Sequence, residues 1–154
     1  MVKEGDRVPD VTLEGLEGKA VSTADFRGQK LVLYFYPKDD TSGCTREAQD
    51  FTALAGEFEK TGAWILGVSK DARQKHRKFI DKYGLKIALA TDTDGSALEA
   101  FGSWIEKSMY GRKYMGIDRS TFLVDRDGRI HRIWRKVKVP GHAEEVLAAA
   151  RELA

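Results

Sequence analysis

The residue of this sequence best suited to chemistry is Cys44, the only cysteine among 154 residues. It follows residues 31–36, which are all apolar or aromatic and therefore predict a strand buried on both faces. Pro37 and then Ser42-Gly43 break this run, and apolar residues at helical spacing follow to about residue 60. We therefore predict that Cys44 lies in the first turn of a helix, directly after a central strand.

This position has a chemical consequence for the sulfur of Cys44. The N–H groups of a first helical turn have no partner within the helix, and the helix dipole is positive there, so a thiolate is favoured. Thr41 or Ser42 could cap the helix, and the Thr41 hydroxyl could also hydrogen-bond the thiolate or an oxygen bound beside it. Asp39 and Asp40 would oppose the thiolate if they faced it, and a cation from elsewhere in the chain would then be needed.

The composition is that of an ordinary soluble protein, and we predict a single domain over residues 1–154. A net charge of +2 provides no general attraction to nucleic acid or to anionic membranes. One cysteine cannot form an internal disulfide, the N-terminus is polar, and no apolar run approaches the roughly 20 residues that cross a bilayer. These features predict a cytoplasmic protein.

The elements that must position Cys44 can be read from periodicity and turn signals. An N-terminal β-hairpin is predicted around Gly15 and Gly18, and residues 102–118 are predicted to be irregular. Further strands are predicted at 63–69, 88–91, 121–124 and 130–134, and helices at 71–83, 96–101 and 142–153. This order predicts an α/β fold of thioredoxin-like kind, with a mixed central sheet flanked by helices on both faces.

Two motifs in the chain resemble those of one protein family. Residues 36–47 contain Pro37, Thr41 and Cys44 at the spacing Pro-x-x-x-Thr-x-x-Cys, which resembles the signature of peroxiredoxins. Residues 113–128, which include Arg119, are similar to the second signature of the bacterioferritin-comigratory-protein subgroup, also called PrxQ. The resemblance extends over nearly the whole chain, and it implies a thioredoxin fold and the reduction of hydrogen peroxide and organic hydroperoxides.

The resemblance also implies a role for each matching residue. Cys44 matches the peroxidatic cysteine, Thr41 the threonine that positions thiolate and peroxide, and Pro37 the proline that shields the sulfur from water. Arg119 matches the arginine that stabilises thiolate and substrate, and Glu47 falls where the subgroup carries a glutamate that supports its arginines.

These residue types suit the chemistry that the resemblance implies. When a thiolate attacks a peroxide, the leaving oxygen takes on negative charge, which helix N–H groups such as that of Gly43, the Thr41 hydroxyl and the Arg119 guanidinium can stabilise. We expect Arg119 also to be the cation that offsets Asp39 and Asp40. No cofactor is expected, and no metal, since no histidine has metal-ligand spacing with the cysteine.

The sequence departs from the subgroup in having no second, resolving cysteine. The places where the subgroup carries one hold Gln49 and Ile80. The resemblance therefore predicts a one-cysteine cycle in which the sulfenic acid of Cys44 is recycled by glutathione, a thioredoxin, a glutaredoxin or another external thiol. We expect a monomer, with a homodimer next, and a Cys44–Cys44 bridge between molecules is disfavoured because a pocketed sulfur approaches its twin poorly.

Other interpretations stay open from the sequence alone. Cys44 could be a buried small hydrophobe, half of a Cys–His protease pair, or the centre of a redox sensor that is oxidised without turnover. A general disulfide reductase is disfavoured because no Cys-x-x-Cys is present. The basic residues within 129–138 could be a solvated sheet face or a contact for an acidic partner. The aromatic residues within 101–114 could line a pocket rim or simply pack a loop.

Overall fold

The computed structural model describes all 154 residues, which form nine strands and five α-helices. The strands are β1 (Thr12–Gly15), β2 (Ala20–Ser22), β3 (Lys30–Phe35), β4 (Ala63–Ser69), β5 (Ala88–Thr91), β6 (Trp104–Met109), β7 (Arg112–Ile117), β8 (Ser120–Val124) and β9 (Ile130–Trp134). The helices are α1 (Ser42–Ala53), α2 (Ala55–Lys60), α3 (Arg73–Tyr83), α4 (Ser96–Ala100) and α5 (His142–Glu152). No helix is long and apolar enough to cross a membrane.

Seven strands form one mixed sheet in the order β2-β1-β5-β4-β3-β8-β9. Strand β3 lies in the interior of this sheet, parallel to β4 and antiparallel to β8, and all six of its residues are buried. The prediction of a strand covered on both faces is confirmed. Helices connect the parallel pairs β3–β4 and β4–β5, as crossover connections require.

Alternate residues of β3 and the position after it point to opposite faces of the sheet. Val32, Tyr34 and Tyr36 join a cluster of 19 buried residues that includes side chains of α1, α2, α3 and α5. Leu31, Leu33 and Phe35 join a second cluster of 16, which α4 and the N-terminal segment cover. Helices therefore lie on both faces, as predicted, although four of the five share one face.

Two hairpins agree with the sequence analysis. Strands β1 and β2 pair antiparallel near the N-terminus, and β8 and β9 pair antiparallel around residues 125–129. The predicted helices at 71–83, 96–101 and 142–153 are present as α3, α4 and α5, with bounds that differ by one or two residues.

The prediction that residues 102–118 are irregular was wrong, because they form a separate antiparallel hairpin of β6 and β7. Its turn residues Tyr110 and Gly111 have φ of 52° and 78°, and a two-residue turn with positive φ at both positions suits the twist of a hairpin. Tyrosine is rarely found in that conformation, and most of the strand residues are exposed or half-buried. The turn is Tyr-Gly and not Asn-Gly, and the strands lack a regular apolar alternation. The sequence of this segment therefore did not indicate a hairpin.

The helix predicted to run from Cys44 to about residue 60 is interrupted at Leu54. Helix α1 ends at Ala53, and α2 begins at Ala55 with Gly56, a weak helix former, as its second residue. Phe58 is still fully buried, but Ala55 is only half-buried. The interruption leaves the N-terminal half of the predicted helix, which carries Cys44, unchanged.

Candidate active site

Cys44 is the third residue of α1, and its side chain is only 2% exposed. Residues 36–41 connect it to the C-terminal end of β3, so the sulfur lies where the central strand passes into the helix. The first-turn N–H of Thr45 is paired with the carbonyl of Thr41, which closes the start of the helix. The predicted position of Cys44 in a first helical turn is confirmed.

Arg119, from the connection between β7 and β8, reaches the sulfur across the end of the sheet. Its Nη2 donates to Cys44 Sγ at 3.3 Å, and its Nη1 donates to Glu47 Oε1 at 2.7 Å. Glu47 lies three residues after Cys44 on α1, on the same face of the helix. One planar guanidinium therefore spans a carboxylate and a sulfur that are 72 and 75 residues away in sequence.

Glu47 is 1% exposed, and its environment is electrostatically unusual. Burial raises the pKa of Glu47 to about 7, even though the charge of Arg119 and the hydrogen bond from it act to lower it. Burial acts to lower the pKa of Arg119, but the charges of Glu47 and Cys44 outweigh that effect and raise it. Glu47 Oε2 has no hydrogen-bond partner, so Arg119 alone anchors this carboxyl group.

Gly43 provides the space for this guanidinium. A Cβ atom at position 43 would lie 3.2 Å from Arg119 Nη2, closer than such contacts normally come. The absence of a side chain at this position therefore lets Arg119 approach the start of α1 and the sulfur.

Thr41 occupies the N-cap position of α1, but its side chain makes no capping hydrogen bond. Its hydroxyl instead donates to the carbonyl of Lys38 at 2.8 Å, and the residue is exposed. The hydroxyl does not contact Cys44 Sγ, so of its two suggested roles, only that toward an oxygen bound beside the sulfur stays a prediction. Pro37 is exposed on the same loop, and its shielding role also stays a prediction.

The expectation that Arg119 offsets Asp39 and Asp40 was wrong. Asp39 is buried and bonds to Tyr36 and His76, whereas Asp40 pairs at the surface with Lys82 and Tyr83. Both aspartates thus have other partners, and Glu47 is the carboxyl group that Arg119 contacts. Sequence spacing could not identify His76, Lys82 and Tyr83 as partners, because they lie on a helix more than 30 residues further along the chain.

A buried histidine and a surface cavity are further features of the structure. His142, the first residue of α5, is 5% exposed and bonds through Nε2 to Thr121 Oγ1 at 2.8 Å. Burial lowers the pKa of His142 to about 4, so its imidazole is neutral at pH 7. A surface cavity of about 460 Å³ is lined by residues such as Trp64 and Lys86, but Cys44 does not line it. No cluster of three or more His, Cys, Asp or Glu is arranged to hold a metal ion.

Comparison of the sequence with known proteins identifies its family and several relatives. The model of the AhpC/TSA family matches residues 4–133. Peroxiredoxin Bcp of Bacillus subtilis (strain 168) is 44% identical over 152 residues, which cover 99% of this chain and 97% of that protein. A putative peroxiredoxin bcp of Coxiella burnetii is 44% identical over 146 residues, which cover 95% of this chain and 97% of that protein.

Solved structures agree with the sequence comparison. Peroxiredoxin Q of Xanthomonas campestris, also described as bacterioferritin comigratory protein with alkyl peroxide reduction activity, superposes with a TM-score of 0.88 at 46% identity. The match covers 92% of this chain and 90% of that one. A cysteine-to-serine variant of PrxQ from Xylella fastidiosa gives a TM-score of 0.92 at 40% identity, covering 99% and 97% of the two chains. The thioredoxin-like fold predicted from the sequence is confirmed.

Proposed function

The chain belongs to the AhpC/TSA family and is a peroxiredoxin of the Bcp type, and we propose that it reduces hydroperoxides through Cys44, with an external thiol completing each cycle. The observation that carries the proposal is the contact of Arg119 with both the Cys44 sulfur and Glu47. A guanidinium held in this way stabilises a thiolate and stays charged at every physiological pH.

In the first half of the cycle, the Cys44 thiolate attacks the terminal oxygen of the hydroperoxide. An S–O bond forms as the O–O bond breaks, so sulfur loses two electrons and becomes a sulfenic acid. The second oxygen leaves as an alkoxide or hydroxide and takes a proton from water. Arg119 and the N–H groups at the start of α1, including that of Gly43, stabilise the negative charge on this oxygen as it develops.

Three further residues assist this step. The Thr41 hydroxyl already donates to the carbonyl of Lys38, so its oxygen has lone pairs left to accept a hydrogen bond from a bound hydroperoxide. Pro37 limits the access of water to the sulfur from the loop side. Glu47 keeps the guanidinium in the orientation that directs Nη2 toward Cys44.

The second half of the cycle needs a thiol from outside the chain, since Cys44 is the only cysteine. The thiol attacks the sulfenic sulfur, which forms an S–S bond to Cys44 and releases water. A second thiol then attacks the outer sulfur of this mixed disulfide, so that the two external thiols end as a disulfide and the Cys44 thiolate leaves. Glutathione, a thioredoxin or a glutaredoxin could supply these thiols, and all are maintained in the reducing cytoplasm, where we place the protein. We propose that it works as a monomer, with a homodimer as the second choice.

Organic hydroperoxides are proposed as substrates together with hydrogen peroxide. The related protein of Xanthomonas campestris is described as reducing alkyl peroxides, and the likeness covers the loop and helix that carry Cys44 here.

The test is a peroxide-consumption assay with hydrogen peroxide and an alkyl hydroperoxide, each supplied with glutathione, thioredoxin or glutaredoxin. We expect repeated turnover with at least one donor, and no turnover in Cys44→Ser. A burst of one equivalent of peroxide without turnover under every donor would instead identify a redox sensor. Activity of the Cys44→Ser variant at the wild-type level would refute the proposal.

A further inference from the structure

The surface cavity of about 460 Å³ has no part in the chemistry described so far. It is lined by the first residues of β4, by the residues that lead into β5, and by Gln29, which directly precedes β3. These three strands run parallel, so their first residues share one edge of the sheet, whereas Cys44 follows the last residues of β3 at the other edge. At about 3.3 Å per residue, the six residues of β3 separate the two edges by roughly 20 Å. The cavity is therefore a site separate from the cysteine.

One wall of the cavity is Trp64, whose exposure is unusual for its place in the sheet. Strand β4 has a neighbour on each side, and its other six residues are buried, but Trp64 is 55% exposed. Ala63 and Ile65 belong to the cluster of 19 buried residues, so the side chain of Trp64 points to the opposite face. Trp104 and Trp134 each pack against a hydrophobic cluster, whereas Trp64 is part of neither. Its indole ring is thus available to a ligand.

Two cations line the same cavity, and neither has a carboxylate partner. Lys86 and Arg126 are both exposed, and no ion pair of the structure involves either side chain. Arg126 Nη1 donates to the carbonyl of Gly28 at 3.1 Å, and a Cβ atom at Gly62 would lie 2.5 Å from Nη2. The guanidinium is therefore held against the backbone, and this hydrogen bond uses only one of its five N–H donors.

The balance of charge at the cavity favours an anion. Glu59 is the only acidic residue that lines it, against the two cations Lys86 and Arg126. A further cation lies nearby, since Lys30 is buried and donates to the carbonyl of Ala150. Burial is the main cause that lowers the pKa of Lys30, and the positive charge of Arg126 lowers it further. Positive charges that the protein leaves without carboxylate partners attract anions from solution.

We propose that this cavity binds a small ligand that consists of a planar aromatic ring with an anionic group, either a phosphate or a carboxylate. The ring stacks on the indole of Trp64, and the anionic group accepts hydrogen bonds from Arg126 and Lys86. Six of the eleven lining residues are apolar, and the volume lies in the range of about 300–1,000 Å³ that small-molecule sites occupy. The inference goes beyond the proposed peroxidase function and does not depend on it, since neither Cys44 nor Arg119 lines the cavity.

Four compounds separate the two halves of such a ligand. AMP has a ring and a phosphate, 2-naphthoate has a ring and a carboxylate, adenosine has a ring without an anion, and inorganic phosphate is an anion without a ring. In calorimetry we expect AMP, 2-naphthoate or both to bind about tenfold more tightly than adenosine, and inorganic phosphate not to bind at millimolar concentration. The comparison of AMP with 2-naphthoate identifies the anionic group that the site prefers. Added salt should weaken the binding of both anionic compounds but not that of adenosine.

Amide chemical shifts in the full chain locate the bound compound. The amides of residues 62–65 and 86–88 and of Arg126 should shift during the titration, and those of Cys44 and Arg119 should not. The Cys44→Ser variant should bind the compound as wild type does. Shifts centred on Arg119 would overturn the proposal, because the anion would then occupy the active site and not the cavity.

Substitutions in the cavity test each contact. Trp64→Leu, which keeps an apolar side chain, should weaken binding about tenfold through the loss of stacking. Arg126→Gln and Lys86→Gln should each weaken it about fivefold. Glu59→Gln should strengthen it, because this change removes the only negative charge from the lining. All four side chains are exposed, so the variants should fold as wild type does.

The matched controls lie on the β6–β7 hairpin, outside the cavity. Tyr110→Leu removes an exposed aromatic ring and Lys113→Gln an exposed positive charge, and both should bind as wild type does. The proposal is overturned if neither AMP nor 2-naphthoate binds, if adenosine binds as tightly as they do, or if Trp64→Leu leaves the affinity unchanged. Sedimentation adds a further check, since a dimer that dissociates in Trp64→Leu would mean that a second copy of the chain, and not a small ligand, covers the indole.

Discussion

At the scale of single residues, Arg119 has the most demanding geometry in the site. Its two terminal nitrogens serve different partners at the same time, Glu47 at 2.7 Å and the Cys44 sulfur at 3.3 Å. A planar fork can do this, but an ammonium group on a flexible stem holds one partner at a time and loses the fixed orientation.

Arg119→Lys therefore tests whether the reaction needs the fixed orientation of the guanidinium or only its positive charge. We expect the variant to keep its fold and its positive charge but to be oxidised by peroxide about 100-fold more slowly, similar to the loss of one fixed donor to a developing oxyanion. Arg119→Ala should lose more. The rate of Cys44 oxidation is measured by rapid mixing, with Arg46→Lys as a control on the exposed side of α1. A wild-type rate in Arg119→Lys would mean that charge alone is sufficient.

His142 makes a second residue-scale prediction, which concerns stability. Its pKa is lowered by burial from 6.5 to about 4. Between these values the unfolded chain binds a proton that the folded protein does not, so stability falls as the pH falls from 6.5 toward 4. At pH 5 this contribution amounts to about 2 kcal/mol relative to pH 7.5. Glutamine at position 142 stays neutral and can still bond Thr121, so His142→Gln should remove that part of the acid sensitivity.

Urea unfolding at pH 5 and pH 7.5 measures this effect. The quantity of interest is the difference between the two free energies of unfolding, compared between wild type and variant, so that other titrating groups such as Glu47 cancel. His131→Gln is the control, since His131 is exposed. An equal acid sensitivity in wild type and His142→Gln would contradict the assignment.

Sequence reasoning identified some of these residues and missed others for one physical reason. Cys44, Glu47 and Arg119 belong to the two sequence motifs, and in the structure all three lie in contact through Arg119. Asp39 and Asp40 were assigned the wrong partner, because a carboxylate takes whichever donor the tertiary structure supplies. The side chains of His76 and Lys82 reach these aspartates only after α3 has packed on the sheet, which local spacing does not encode.

At the scale of elements, the contact of Arg119 with the start of α1 depends on the absence of a side chain at Gly43. In Gly43→Ala the new Cβ would meet Arg119 Nη2 at 3.2 Å and displace the guanidinium by a few tenths of an ångström. Alanine is the better helix former, so the free energy of unfolding should change by no more than about 1 kcal/mol. Oxidation of Cys44 by peroxide should nevertheless slow about tenfold, because Arg119 is no longer held against the sulfur.

The matched control for this substitution is Gly56→Ala in α2. A Cβ at position 56 would have no atom within 4 Å, so the helix should gain roughly 0.5–1 kcal/mol with no change in the oxidation rate. Rates come from rapid mixing and stabilities from urea unfolding. Wild-type oxidation kinetics in Gly43→Ala would mean that the close approach of Arg119 is not required.

Among the elements, those with strong periodicity or standard turns were predictable, and the hairpin of β6 and β7 was not. Residues 31–35 of β3 are all apolar or aromatic because the strand is covered on both faces, and this run made the strand predictable from the sequence. The β6–β7 hairpin pairs with no other strand, so burial imposes no alternation on it, and its Tyr110-Gly111 turn relies on a tyrosine with a φ of 52°. Because most residues of this hairpin are exposed or half-buried, its sequence shows no regular alternation of apolar and polar residues.

At the scale of the whole molecule, the two hydrophobic clusters lie on opposite faces of one sheet and share β3. Cys44 belongs to the cluster under α1, α2, α3 and α5, whereas the hairpin that precedes Arg119 adjoins the other, since Trp104 and Ile117 pack there. A site built from both sides of the sheet needs the two clusters to form together. Because both clusters share β3, we predict that residues 1–154 fold as one domain.

Substitutions at two neighbouring residues of β3 test whether the two clusters unfold together as one domain. Val32 and Leu33 are both fully buried, and they point into different clusters. Val32→Ala and Leu33→Ala should each destabilise the protein by roughly 2–4 kcal/mol, and each should shift one and the same unfolding transition to lower urea. Proteins with a single tryptophan, either Trp134 beside the first cluster or Trp104 beside the second, would report the two faces separately. If Leu33→Ala lowered the midpoint seen by Trp104 but not that seen by Trp134, the faces would unfold independently, and the single-domain prediction would be wrong.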